Sequence, residues 1–283
     1  MSSDNNSSVE LLNPNYVPVL KDSVTHYGGS QMWFPPTNRF SKDYILHNYG
    51  CGTIAAADLF LYLALKDESL RSPEVEIALQ GTNSIMYDQY NSYIKKINKQ
   101  YTKTHRVIAV LGPHLASAVN SYSKIYSLGY RASWKWSLSY YDMYAIIEEM
   151  LHHDIPVILS IGPNTPNLWG KKGVTFYQQF VTDKGNDTSE KQTVTSEKQI
   201  VTSKKPFVTP HYLYKEVMKN VNGHYVTVTG IIRDNSAGTV MLRISSWGKQ
   251  YYINYEQYRD YIENTGGTYT SSVVYIKNYW RFQ

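Results

Sequence analysis

Apolar residues recur at helical spacing through Ile54, Ala55, Leu59, Phe60, Leu63 and Ala64, which predicts a buried helix over about 51–66, ended by the polar run Lys66-Asp67-Glu68. The same spacing predicts a helix near 84–101, with Ile85, Tyr90, Ile94 and Ile97 as its stripe, and another through Leu115, Ala118, Val119, Tyr122 and Ile125, ended near Gly129. Between them the short apolar run Val107–Leu111 stops at Gly112-Pro113. A further helix is predicted over Tyr141–His152, capped by Ser137 or Ser139, with Met143, Ile146, Ile147, Met150 and Leu151 facing inward. The period then changes. Ile155–Ile161 and Val174–Tyr177 read as strands, and Tyr225–Ile232 alternates and turns through 233–238 into Thr239–Ser245. Tyr251–Ile253 and Ser272–Ile276 complete the strands, with a short helix over 255–262 between them. Helices first and an antiparallel sheet later predict an α+β fold.

Residues 1–40 are polar and broken by Pro14, Pro18, Pro35 and Pro36, so an extended arm anchored by Trp33 and Phe34 is expected, followed by one domain over 41–283. Residues 182–208 interrupt that domain as an inserted loop. Within it a seven-residue unit runs through Thr188–Val194, Thr195–Val201 and Thr202–Val208. Only its valine is apolar in every copy and Pro206 breaks the last, which argues against a coiled coil and for a loop or an extended ribbon near the cleft.

Composition narrows the classes. At 283 residues with 42% hydrophobic and 18% charged positions, the chain is long enough to bury a full core. The net charge of +5 is spread along it, with no run of Lys and Arg that marks a nucleic-acid partner. A single cysteine excludes an internal disulfide and any multi-cysteine metal site, and no cofactor is expected. With no signal-peptide pattern and no long apolar run, the expectation is a cytoplasmic protein with no membrane partner.

The one cysteine, Cys51, sits between Gly50 and Gly52 at the start of the buried helix. There the helix dipole and free N–H groups favour thiolate, and the glycines leave room for a substrate carbonyl. A small buried hydrophobe is the alternative. A thiol nucleophile needs a base. His152 and His153 end a helix, His26 belongs to the arm, and His105, His114 and His211 lack distinctive context. His47 is near Cys51 in sequence, and His224 follows Asn222-Gly223 and opens the strongest strand pattern.

Gly50-Cys51-Gly52 opening a helix, Gly223-His224 opening a strand and Ser245-Ser246-Trp247-Gly248 ending its hairpin partner resemble papain-like cysteine peptidases, and within them the bacterial peptidases that process double-glycine leader peptides and their transporter-free relatives. The likeness spans roughly 40–65 and 145–262. It implies a helical half carrying the nucleophile Cys51, packed on a sheet carrying the base His224, and a peptide or protein substrate. Gly50, Gly52, Gly223 and Trp247 fall at substrate-binding positions, with Trp247 shielding the histidine's hydrogen bond. The third catalytic position, usually Asn, is Ser245, which accepts a hydrogen bond but supplies no charge. The oxyanion Gln is replaced by Ile45, leaving Asn48 as an oxyanion donor or a turn residue. Asp58, two turns along the helix, reads as a capping or solvated residue. The resemblance implies a thiol hydrolase acting on a peptide or isopeptide bond. An acyl transferase using the same pair and a degenerate peptide-binding domain are the alternatives.

Overall fold

The computed structural model describes residues 6–162, 173–182, 211–234, 238–264 and 271–277. The repeat insert, and with it any ribbon or lid, lies outside the described residues. The chain opens with β1 (Asn6–Glu10), β2 (Pro18–Lys21), β3 (Val24–Tyr27) and a 3-10 turn at Gln31–Trp33. Next come α1 (Lys42–Tyr49), α2 (Cys51–Lys66), α3 (Pro73–Leu79), β4 (Ile85–Met86), α4 (Tyr87–Ile97) with a π turn at Asn98–Thr102, and α5 (Gly112–Ile125). The second half holds β5 (Ala132–Trp136), α6 (Tyr140–His152), β6 (Val157–Ile161), β7 (Val174–Thr182), β8 (His211–Val221) and β9 (His224–Asp234). It closes with β10 (Thr239–Ser246), β11 (Lys249–Asn254), α7 (Tyr255–Asn264) and β12 (Ser272–Ile276). Mixed helix and antiparallel sheet make this an α+β fold.

α2 is the centre. Every residue from Cys51 to Ala64 is buried, because the helix is apolar or small on all sides and has protein around it. It packs on α1, α3, α4 and α5 and, across the core, on β9. β9 is the matching strand of the main sheet, whose order is β5-β12-β6-β9-β10-β11-β7-β8. Its long edge takes two partners in succession: β6 pairs with its first half (Ile161 opposite His224) and β1 with its second (Asn6 opposite Asp234). β10 covers the other edge, with a bulge in β9 at Thr229. α6 packs on β1, β6, β9 and β12, and α7 on β7, β10 and β11. Ser139 caps α6, its side chain accepting from the Asp142 N–H. Among the described residues no helix is long and apolar enough to cross a membrane.

The first forty residues are more than an arm. β1 joins the main sheet, where Glu10 pairs with the buried Arg243 of β10, and β2 is the middle strand of a second sheet, antiparallel to β3 and parallel to β4. Tyr16, Val17, Val19 and Phe34 are fully buried. The prolines that argued for an extended chain leave room for strands of four or five residues, and β2 starts at Pro18. The helix expected over 84–101 begins as β4 at Ile85–Met86 and turns helical only at Tyr87. Val107 and Ile108, in the apolar run before Gly112-Pro113, are exposed on a turn.

Candidate functional site

Cys51 begins α2 directly after Gly50, which caps both α1 and α2. A Cβ on Gly50 would lie 2.3 Å from the Leu46 carbonyl oxygen, so the close turn between the helices requires glycine. A Cβ on Gly52 would touch the Tyr225 ring at 3.2 Å, so its absence lets α2 pack closely onto the start of β9. Gly223, with φ +58°, turns the chain into β9 just before His224. These glycines act through backbone approach, and none of the three lines the cavity at Cys51.

That cavity, of about 20 Å³, is lined by Cys51, His224, Ser246, Trp247, Gln31 and Asp58 among others. It has room for a single water. Cys51 and His224 are each 7% exposed. Burial pushes the Cys51 thiol up, and the amide N–H groups of Tyr225, Gly52 and Cys51 itself, aimed at the sulfur, partly offset it. Burial alone holds the His224 imidazole down to about 3. The resting pair is therefore a neutral thiol beside a neutral ring, and no hydrogen bond joins them in the described structure.

His224 is fixed from two sides. Its Nε2 lies 2.8 Å from Ser246 Oγ, and Trp247 stacks on the ring with centroids 4.4 Å apart and planes 14° apart. Trp247 holds that place through a strained turn. Ser246 pairs with Lys249, so Trp247 and Gly248 are the two central residues of the β10–β11 hairpin, with φ +49° and +75°. Both positions of such a turn need positive φ, which glycine adopts freely and tryptophan does not. The β3 segment buttresses the turn: the Tyr27 N–H donates to Gly248 O (3.1 Å) and the Gly248 N–H to Gly29 O (2.8 Å).

Ser245, expected to orient the histidine, does not do so. It pairs across the ladder with Thr227, and its hydroxyl donates to Tyr27 O at 2.8 Å. Neighbouring strand residues point to opposite faces, and Ser246 is the one that meets His224. Asn48, the expected oxyanion donor, is exposed outside the cavity and donates its Nδ2 back to Tyr44 O (2.9 Å) within α1. The His47 carbonyl accepts from Gln31 Nε2 at 2.9 Å, and its ring, which does not line the cavity, keeps a buried Nδ1 with no hydrogen-bond partner among the described residues.

Gln31 is the residue that sequence reasoning missed. It sits at the cavity wall twenty positions before Cys51. Its Nε2 keeps a second N–H beyond the bond to His47 O, and its Oε1 is buried without a partner. The signal available was a lone glutamine beside the anchoring Trp33 and Phe34, at a distance no fixed spacing points to.

Asp58 is neither a cap nor solvated. Its carboxylate, 1% exposed, accepts from the Gly29 N–H at 2.9 Å and the Tyr90 hydroxyl at 2.6 Å. Burial raises it to about 7 against the pull of these two donors. A Cβ on Gly28 would strike both Ser245 Oγ (2.5 Å) and Asp58 Oδ2 (2.7 Å), so residues 28–31 are threaded tightly between β10 and α2. Compared with family models, curated proteins and solved structures, the chain matches none.

Proposed function

We propose that the chain is a thiol hydrolase of papain-like type that cuts a peptide or isopeptide bond through an acyl-enzyme on Cys51. The observation that carries this reading is the shared cavity. The only cysteine, at the start of the central helix, lines one small cavity together with a histidine held by Ser246 and Trp247. In the tautomer that donates Nε2–H to Ser246 Oγ, Nδ1 carries the lone pair. It takes the thiol proton as sulfur attacks the carbonyl carbon, and returns that proton to the leaving amine as the C–N bond breaks. Water then hydrolyses the thioester by the same base. Because the resting thiol is neutral, proton transfer accompanies attack rather than preceding it. The second N–H of Gln31 Nε2, at the wall of the same cavity, is the side-chain donor this reading assigns to the oxyanion.

One observation favours a second reading, a domain that binds peptides without cutting them. The group on His224 is a neutral hydroxyl, which orients the ring but adds no charge to stabilise the imidazolium.

Incubation with a proteome-derived peptide mixture, read by mass spectrometry, separates the two. Cleavage by the parent and none by Cys51→Ala or His224→Ala is expected, with iodoacetamide modifying Cys51 about tenfold more slowly in His224→Ala, in line with general-base assistance. Peptide retention by Cys51→Ala with no cleavage by the parent supports the binding domain. Alkylation indifferent to His224→Ala sinks the pair. Added amines distinguish transfer from hydrolysis, since only transfer yields an amide.

A further inference from the structure

We propose that the face formed by residues 39–44 and 99–111 is a docking surface for a bilayer carrying anionic lipids. The expectation of no membrane partner rested on the lack of a spanning segment, and a peripheral contact needs none. The cations that look scattered in sequence gather here. Arg39, Lys42, Lys99, Lys103 and Arg106 have no ion-pair partner among the described residues, whereas neighbouring Lys95 and Lys96 are taken by Asp43 and Glu74.

Apolar side chains stand among these charges. Phe40 is 70% and Val107 71% exposed, and Ile108 and Leu111 are exposed beside them. Arg106 unites the two stretches, its guanidinium 5.2 Å from the Phe40 ring and 5.9 Å from the Tyr44 ring, with Arg39 5.0 Å from Phe40. The crest is rigid. His105 and Ala109 exchange two backbone hydrogen bonds (2.9 and 3.0 Å), which hold Arg106, Val107 and Ile108 out on a closed turn. Behind it a groove of about 570 Å³ between α1 and α4, rimmed by Lys42, Lys99 and Lys103 over Ile45, is open to an anionic headgroup.

An apolar crest inside a cationic collar matches the acyl boundary and headgroup layer of an anionic bilayer. An acidic peptide would use the groove but leave Phe40, Val107 and Ile108 in water. The surface is joined to the candidate site: Thr104 bonds Thr53 in the first turn of α2 at 2.7 Å, and a Cβ on Gly52 would lie 3.6 Å from Val110. Docking would thus hold Cys51 near the membrane, whatever its chemistry.

Flotation of the full chain with phosphatidylcholine vesicles, with and without phosphatidylglycerol, tests the proposal. Binding to the anionic vesicles alone is expected, weakening as salt rises. Lys103→Glu combined with Arg106→Glu is expected to weaken it about tenfold or more. Phe40→Ser with Val107→Ser is expected to weaken it with the collar intact, the melting temperature of each variant being checked against the parent. Failure of the parent to float with anionic vesicles overturns the proposal, as does equal flotation with both vesicle types or binding unchanged by the charge reversal. Capture of a poly-glutamate peptide or a single-stranded oligonucleotide without flotation also overturns it. If a variant does not fold, the lipid and salt dependence of the parent decides.

Discussion

Cys51 and Asp58 lie two turns apart on α2, roughly 10 Å along one face of the helix, and both line the same cavity. Their surroundings differ in kind. Asp58 is met at both oxygens, by the Gly29 N–H and the Tyr90 hydroxyl, and through them it ties the N-terminal segment and α4 to the central helix. Cys51 receives backbone N–H groups from Tyr225, Gly52 and itself, and His224, which lines the same cavity, makes no hydrogen bond to it among the described residues. A buried polar group with every partner supplied specifies structure. A thiol and an imidazole that line one cavity without a bond between them are what the proposed chemistry needs. The same contrast separates Ser245, bound to a main-chain carbonyl, from Ser246, bound to the imidazole.

The two ends of the cavity also respond to pH in opposite senses, which offers the largest test. Asp58 is raised by burial to about 7, so the folded state holds its proton more tightly than the unfolded chain does. Its contribution is fully present below an unfolded value of about 4 and is lost as pH rises to about 7. His224 is depressed to about 3 by burial. Its contribution is present above an unfolded value of about 6.5 and is lost as pH falls toward 3. Between about pH 4 and 6.5 the slopes oppose one another, each about 1.4 kcal/mol per unit. Chemical denaturation across this range should show Asp58→Asn losing stability, relative to the parent, on acidification, and His224→Gln losing it as pH rises. Each difference should reach about 3–4 kcal/mol over the window. Parallel curves for both variants would mean that the groups titrate in the folded state as they do in water.

Truncation at constant pH sharpens the comparison on a smaller scale. Asp58→Ala leaves a buried N–H and a buried hydroxyl without an acceptor and should cost about 3 kcal/mol near pH 6. Cys51→Ala removes one small group from a cavity wall and should cost about 1 kcal/mol. Urea midpoints at matched slope measure both. Equal losses would dissolve the distinction between a structural and a chemical end.

Much of this architecture was legible in the sequence because it rests on period. The Cys51 helix, α5, α6 and the β9–β10 hairpin follow from apolar spacing, and Ser139 caps α6 as its position suggests. What escaped depends on contacts across the chain. β1 and β2 are short, and the strands that tie them to the rest of the fold, β9 and β4, lie more than fifty residues away, which no local pattern encodes. Gln31 reaches the cavity only because residues 28–31 are threaded against Asp58 and Ser245. The cationic face is assembled from residues near 40 and near 100, so a charge that looks dispersed along the chain is local in space. Ser245 and Ser246 show the finest limit. Adjacent serines in a strand differ only in which face they occupy, and the register that decides it is a tertiary fact.

That pair supplies the smallest test, and it bears most directly on the site. Ser245→Ala removes a hydrogen bond to Tyr27 O beneath the cavity, which should cost about 1 kcal/mol of stability and leave the pH dependence of Cys51 alkylation unchanged. Ser246→Ala frees the Nε2 side of His224 while Trp247 still stacks on the ring. Stability should change little, since the adjoining space admits a water to take the hydroxyl's place. Alkylation, however, should slow about threefold to tenfold, because an imidazole that has lost its hydrogen-bond partner at Nε2 is held less firmly in the orientation the proposed base role needs. Ser246→Asn tests the same point in the opposite sense, since an amide oxygen restores a fixed acceptor for Nε2–H, and the rate should recover toward that of the parent. If Ser245→Ala slows alkylation and Ser246→Ala does not, the hydroxyl that matters to the imidazole is the one on the other face, and the chemical end of the cavity must be redrawn around Tyr27 and Asp58.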